Sequence, residues 1–219
     1  MVHVTTGLML KRIQLDNNEF ITREKLLTYC REFRLDYNGA ISYYLRKSYL
    51  VRIFRGIFYV RSPEELRLGR QRYNHLEMVA KGLELKSVEK WYFGLYTALK
   101  LNNMTHEYFN VEDVVSTKLL RVRPVTISEH KFKFTRISSS LYGFGITEKR
   151  TKIKGTKLKY SDPEKTILDF VYLWRYRGFT GDLILFNIAD WTNDLSKREL
   201  ANYSKRYPAS VRRIVEGIE

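Results

Sequence analysis

The sequence predicts an α+β chain in two parts: a small helix-rich N-terminal domain and a larger helix–sheet–helix domain. Two observations carry this. Phe20 to Val60 reads as helix, turn, helix and tight hairpin, and Val111 to Tyr160 changes to short runs of β-branched and aromatic residues. In between, Ser62-Pro63-Glu64-Glu65 marks a chain break and a new helix start, with a serine cap, a proline at the first helical position and two early acids. The expected domains are therefore residues 1–66 and 67–219.

The elements follow in order. Thr5 to Leu15 is weakly helical and can close the small first core. Thr22 is suited to cap a helix that carries Glu24 in its first turn and Leu26, Leu27, Cys30 and Phe33 at helical spacing. Asp36-Tyr37-Asn38-Gly39 breaks the chain. The next helix sets Ala40, Ile41, Tyr44 and Leu45 on one face and Asn38, Ser42, Tyr43 and Arg46 on the other. Tyr49 to Phe54 and Ile57 to Val60 read as strands joined by Arg55-Gly56. After Pro63 a helix is expected to run, with a break near Gly69, through Leu83, and Val88 to Leu101 to form another with Trp91, Leu95, Ala98 and Leu99 as its stripe. Expected strands are Val111–Val115, Arg121–Ile127, Lys131–Ile137, Leu141–Ile146 and Thr151–Tyr160. Asp162 then caps a helix ended by Gly178, and the remainder reads as helices broken near Asn193 and Pro208.

The formal net charge is +15, which points to a polyanionic partner. The excess is clustered. Residues 1–75 hold 14 basic and 7 acidic side chains, and residues 117–160 hold 12 and 2. No acid lies between Asp36 and Glu64, where Arg46, Lys47, Arg52, Arg55 and Arg61 fall. Helix, turn, helix and hairpin with this charge make a winged helix-turn-helix, whose second helix enters a major groove. Asn38 and Arg46 have side chains suited to adenine and guanine edges. Ser42 and Tyr43 can reach bases or phosphates, and Lys47, Arg52 and Arg55 suit phosphates. In the second block, the alternation of Lys131-Phe132-Lys133-Phe134-Thr135-Arg136-Ile137 sets Lys131, Lys133 and Thr135 on one face, with both lysines free to meet a polyanion and both phenylalanines packed against the helices at Trp91 and Leu168.

Catalytic and metal chemistry have little to stand on. The four histidines are scattered, and a single Cys30 on an apolar helix face excludes a zinc knuckle and reads as a buried thiol. Gly143-Phe144-Gly145 lacks the context of a dinucleotide loop and reads as a turn or bulge. Glu164 and Asp169 lie five residues apart, on different faces of their helix, and Glu164 is explained by the helix N-terminus. No cofactor, no metal and no enzymatic activity is expected. One cysteine, no apolar run of membrane length and no leader pattern lead to the expectation of a cytoplasmic protein with no membrane partner.

Ala40-Ile41 followed by Leu45, Leu50-Val51-Arg52 and then Arg55-Gly56-Ile57-Phe58-Tyr59-Val60 resembles the N-terminal domain of AbiE-type (AbiEi) antitoxin regulators. Tyr92-Phe93-Gly94-Leu95-Tyr96-Thr97-Ala98-Leu99 and Asp162-Pro163-Glu164-Lys165-Thr166-Ile167-Leu168-Asp169 resemble later segments of the same family, in the same order. The sheet segment is unusually basic for that family, and the stretch after Gly178 adds no motif to the resemblance. The resemblance implies a transcriptional repressor of its own operon in a type IV toxin–antitoxin system, binding operator duplex DNA and countering a nucleotidyltransferase-like toxin, directly or only functionally. A basic, aromatic-rich sheet is also compatible with an RNA-binding or RNA-processing accessory protein, or with a module that binds an acidic protein.

Overall fold

The computed structural model describes residues 2–118 and 123–218, with side chains from Thr5 onward. The chain is α+β and forms two compact units. The first comprises Met1–Ser87 with the short segments Ile127–Glu129 and Lys152–Thr156, and the second the remainder. No helix among the described residues is long and apolar enough to cross a membrane.

In the first unit, α1 (Val2–Leu15), β1 (Phe20–Thr22), α2 (Arg23–Glu32) and α3 (Tyr37–Arg46) precede the hairpin β2 (Leu50–Phe54) and β3 (Ile57–Val60). The strands form an antiparallel sheet in the order β1-β3-β2. Thr22 caps α2 as expected, its hydroxyl accepting from the Lys25 amide. Met9, Ile13, Ile21, Leu26, Cys30, Ile41, Tyr44 and Phe58 share one core. Cys30 is 2% exposed, and burial pushes its thiol pKa up. Tyr44 is fully buried and donates its hydroxyl to the Thr6 carbonyl at 2.7 Å, so the one polar atom it buries is satisfied.

This unit continues past residue 66. α4 (Pro63–Leu68) opens on a capping box between Ser62 and Glu65 and ends at Gly69, whose φ is 65°. α5 (His75–Leu85) opens on a second box between Asn74 and Glu77. Buried Glu65 accepts from the Tyr59 hydroxyl at 2.5 Å and the Arg72 amide at 2.6 Å, which ties β3 to α4 and the segment after it. Gly82 lets α5 lie directly on β2, because a Cβ there would stand 2.7 Å from Ile53 Cγ2 and 2.8 Å from the Phe54 ring. These contacts carry the first unit to Ser87.

The second unit is built on a mixed six-stranded sheet in the order β6-β7-β5-β4-β9-β8. Its strands are β4 (Trp91–Phe93), β5 (Val111–Ser116), β6 (Val125–Ile127), β7 (His130–Arg136), β8 (Ile146–Arg150) and β9 (Lys157–Ser161). Between β4 and β5 runs α6 (Leu95–Leu101). Four helices follow β9: α7 (Pro163–Tyr176), α8 (Gly181–Ile188), α9 (Lys197–Ser204) and α10 (Ala209–Val215). Asp162 caps α7 and Gly178 lies beyond its end at φ 90°, as the sequence predicts.

Three expectations are corrected. Val88 to Leu101 is not one helix: Trp91-Tyr92-Phe93 is an aromatic strand buried on both faces, and the helix starts only after Gly94. Gly94 is required there, since a Cβ would fall 2.6 Å from Val115 Cγ2. Leu141–Ile146 is not a strand but a 3₁₀ turn at Ser139–Leu141 followed by Gly143 and Gly145, both at positive φ. Phe132 and Phe134 are buried, but register puts Phe134 in line with Val114 and Phe93, on the opposite sheet face from Tyr92 and Val115, which pack with Leu168. Of the strand expected over Arg121–Ile127, residues 121 and 122 lie outside the described residues and the rest contains β6.

One charged cluster stands inside the second unit. Lys165 and Asp169, one turn apart on α7, are both 0% exposed and pair at 3.2 Å. Lys165 Nζ also donates to the Leu141 carbonyl at 2.8 Å and to the Tyr207 hydroxyl at 3.2 Å. The Tyr207 and Tyr92 hydroxyls donate to the two Asp169 oxygens, each at 2.7 Å. The ammonium lies 4.5 Å from the Phe144 ring centroid and 5.0 Å from that of Tyr92. Removing one member leaves an uncompensated buried charge, so Lys165→Met costs about 3–5 kcal/mol in urea unfolding. Lys165→Met/Asp169→Asn recovers part of that, because the amide oxygen still accepts a tyrosine proton. A cost below about 1 kcal/mol for the single variant contradicts the assigned role.

Candidate nucleic-acid interface

The first unit presents its polar helix face through local geometry. Asp36 caps α3, its Oδ2 accepting from the Gly39 amide at 2.7 Å, which leaves Asn38 outside the capping bond. Ala40, Ile41 and Tyr44 point into the core. Asn38, Ser42 and Arg46 follow one another four residues apart and are all exposed. Lys47, the C-cap, is exposed as well. Tyr43 is half-buried, its ring edge-on to Tyr44 at 5.8 Å and to Tyr49 at 6.2 Å, so its ring is partly committed to packing.

The hairpin adds cations. Arg55-Gly56 turns the chain, and Gly56 has the positive φ of 78° that such a turn demands. Arg55 is exposed at the turn. Arg52 is exposed on β2, its guanidinium 5.6 Å from the Phe58 ring centroid. Arg61, from the same acid-free stretch, is partly buried, and its backbone is held by Tyr49 and Gln14.

Two further cations stand at the same place and were not singled out from the sequence. Arg23, the first residue of α2, donates its amide to the Gly56 carbonyl at 2.8 Å and holds its guanidinium 5.6 Å from the Tyr37 ring centroid. Lys86 reaches the Arg55 carbonyl at 3.4 Å and lies 5.9 Å from the Phe54 ring centroid. Both are exposed. Burial pushes the Tyr37 hydroxyl pKa up, while the charges of Arg23 and Arg52 pull it down, so these groups feel one another. Glu24 is the acid among them. Backbone hydrogen bonding at the helix N-terminus and the Thr22 hydroxyl hold its carboxyl below the usual range. Arg23 was legible as the residue after a helix cap. Lys86 carried no signal, being 31 residues from Arg55 and brought there by the packing of α5.

In the second unit Lys131 is exposed, but Lys133 is half-buried and Thr135 is buried with its hydroxyl unpartnered among the described residues. The exposed pair expected at Lys131 and Lys133 is thus corrected to Lys131 alone. Lys133 is in register with Asp113 on β5, which is 3% exposed. Burial pushes the Asp113 carboxyl up to about 7, against the pull of the Lys133 charge. Its neighbour Glu112 accepts from Lys100 at 2.6 Å and from Thr97 at 2.7 Å. The tempting carboxylates of α7 are structural: Asp169 belongs to the buried cluster, and Glu164 accepts from the Ser196 amide at 2.8 Å.

Comparison with protein-family models and with curated proteins finds no match. Among solved structures, the chain is similar in fold to the RV2827C protein of Mycobacterium tuberculosis. The likeness has a TM-score of 0.62 at 13% identity and covers 98% of this chain and 76% of that one.

Asp113 gives the second unit a pH dependence. Its folded pKa lies above the unfolded value of about 3.9, so the folded state holds the proton more tightly. That contribution to stability is full below about pH 4 and is lost as pH rises through about 7. Asp113→Asn therefore stabilises at pH 8 and has little effect at pH 4 in urea melts. Equal effects at both pH values count against a raised Asp113 pKa.

Proposed function

We propose that this protein is a sequence-specific DNA-binding transcriptional repressor that reads duplex DNA with α3. The observation that carries the reading is the division of α3: Ala40, Ile41 and Tyr44 are buried, while Asn38, Ser42 and Arg46 share the exposed face. An exposed stripe ending in amide, hydroxyl and guanidinium groups is the chemistry that reads base edges. Lys47, Arg52 and Arg55 flank it and, with Arg23 and Lys86, supply phosphate contacts. The element order of helix, strand, two helices and a short hairpin supports a winged helix-turn-helix, with α3 as the recognition helix and Arg55-Gly56 as the wing tip.

The resemblance to AbiE-type antitoxins extends the proposal to biology. The protein would repress its own operon from the cytoplasm and counter a nucleotidyltransferase-like toxin, with no chemistry of its own. Co-expression with the product of a neighbouring nucleotidyltransferase-like gene tests that part: growth is rescued by the wild-type chain, and lack of rescue removes the antitoxin role while leaving DNA binding standing.

DNA binding is tested by anisotropy on a duplex from the protein's own promoter. With about five phosphates neutralised, log K falls against log salt with a slope near −4 to −5. Affinity that ignores salt, or no binding to any promoter duplex, contradicts the reading. Arg46→Ala costs about 1–3 kcal/mol on the cognate site and narrows the gap to a shuffled duplex. Arg55→Ala weakens both duplexes alike. If neither variant changes the cognate-to-shuffled ratio, α3 is not the reading helix.

A further inference from the structure

The second block of positive charge has its exposed centre on the β8–β9 hairpin. Residues 149–159 carry six Lys or Arg and no acid. Lys149 and Arg150 in β8 and Lys157 in β9 are all exposed, and Lys159 is half-buried. β8 is the edge strand of its sheet, and from Thr147 to Arg150 it is exposed on both faces. Register places Arg150 opposite Lys157 and Glu148 opposite Lys159, so Arg150, Lys157 and Lys159 share one face with Glu148 as its single acid. Glu148 pairs with Lys157, both partners being solvent-exposed, which screens the pair to little net strength. A guarded edge strand needs only a lysine or a charge or two. This one has cations on both faces and on its partner strand.

We propose that the β8–β9 hairpin is a second nucleic-acid contact surface that binds the phosphate backbone of duplex DNA without sequence preference. The proposal rests on the duplex-binding reading above and adds a surface outside the α3 site. Side-chain type favours a duplex over single-stranded RNA. Recognition of unpaired bases uses exposed aromatic rings as stacking platforms. Apart from the acid Glu148, the side chains of β8 and β9 are cationic, aliphatic or small, with Tyr160 only half-exposed, and the most exposed aromatic residues described, Tyr108, Tyr176 and Phe186, lie elsewhere in the chain. On one face, Lys157 and Lys159 of β9, two residues and about 6–7 Å apart, stand with Arg150 of β8 opposite Lys157, and together with the amide groups along the free edge of β8 they offer point charges to a phosphate backbone.

The test uses full-length protein, the promoter duplex, a shuffled duplex of equal length and a single-stranded RNA of the same sequence. Lys149→Gln/Arg150→Gln/Lys157→Gln is compared with Lys197→Gln/Arg198→Gln/Lys205→Gln, which removes the same charge from exposed positions on and just after α9. The expected result is that the hairpin variant loses about 10–100-fold on both duplexes, with their ratio unchanged and the salt slope flatter by about 2–3. The α9 variant loses much less, and circular dichroism melts of both match the wild type. Equal losses for the two variants, or no loss, overturn the proposal, because the charge then acts only through its sum or only guards the edge. Loss confined to RNA, or confined to the promoter duplex, overturns it as well. The two readings fail separately. If the hairpin variant weakens both duplexes while Arg46→Ala leaves the promoter-to-shuffled ratio intact, the α3 reading falls and the hairpin surface stands.

Discussion

The second unit is arranged around the buried pair of Lys165 and Asp169. A lysine ammonium and a carboxylate with no exposure persist only when every donor and acceptor is met. Each partner comes from a different element: Tyr92 from the central strand β4, the Leu141 carbonyl from the turn before β8, and Tyr207 from the junction of α9 and α10. The pair therefore fixes α7 against the sheet and sets the path of the chain on both sides. Gly145 follows from it, because a Cβ there would meet Lys165 Cβ at 2.8 Å, and the backbone takes a φ of 58° to pass. Burial and the Asp169 charge push the Tyr92 and Tyr207 hydroxyl pKa values well up, which keeps both as donors. Apolar substitutes could hold the same volume. Directional bonds from α7 to three other segments select one arrangement of them.

What the sequence revealed was local. The cap at Thr22, the division of α3 and the turn at Arg55-Gly56 are decided within a few residues, and each matches the structure, whereas the break expected over Asp36–Gly39 ends at the cap Asp36, and Tyr37, Asn38 and Gly39 already belong to α3. Helical spacing alone misassigned Trp91, because an aromatic triplet followed by Gly-Leu satisfies a helical stripe and a buried strand equally. The center of the sheet decided between them. The turn at Ser139–Leu141 was missed for a similar reason: Leu141, Tyr142, Phe144 and Ile146 suit a strand, but the two glycines adopt positive φ. Long-range partners left no pattern. In the sequence Lys165 is one residue of a short motif and Asp169 one of two carboxylates on different helix faces, yet what matters is the bond between them and the tyrosines 38 and 77 residues from Asp169.

The candidate interface shows the same split. Asn38, Ser42, Arg46, Lys47, Arg52 and Arg55 were found because helix and hairpin are contiguous in sequence, and all six are exposed. Lys86 joins them through the packing of α5, made possible by the absence of a side chain at Gly82. Lys133 failed as an exposed cation because alternation identifies two faces without saying which one a helix covers. Its face carries Asp113 and Val115, and Val115 packs with the α7 core. Charge summed over residues 117–160 gives the density of cations in the block and not which of them are exposed. The exposed cations of the block include Lys118, Arg123, Lys131 and Arg136, and they are densest toward its end, from Lys149 to Lys157.

The distribution of acids links the two themes of buried order and exposed charge. Glu65, Glu77, Glu112, Asp113, Glu164 and Asp169 are buried, whereas Lys165 is the single buried Lys or Arg among the described residues. These carboxylates cap helices, accept hydroxyl and amide protons and pair with Lys100 and Lys165, so few of their oxygens are offered to solvent. The side chains at the surface are accordingly richer in cations relative to acids than the sequence as a whole. Such a surface repels itself and weakens the compact state, and a bound polyanion relieves that repulsion while releasing its own counterions. Interior acids thus serve the fold directly and, by being absent from the surface, leave fewer acids there to pair with the exposed cations. In this protein the buried hydrogen-bond networks draw on a limited set of carboxylates, and the proposed affinity for polyanions depends on how few are left at the surface.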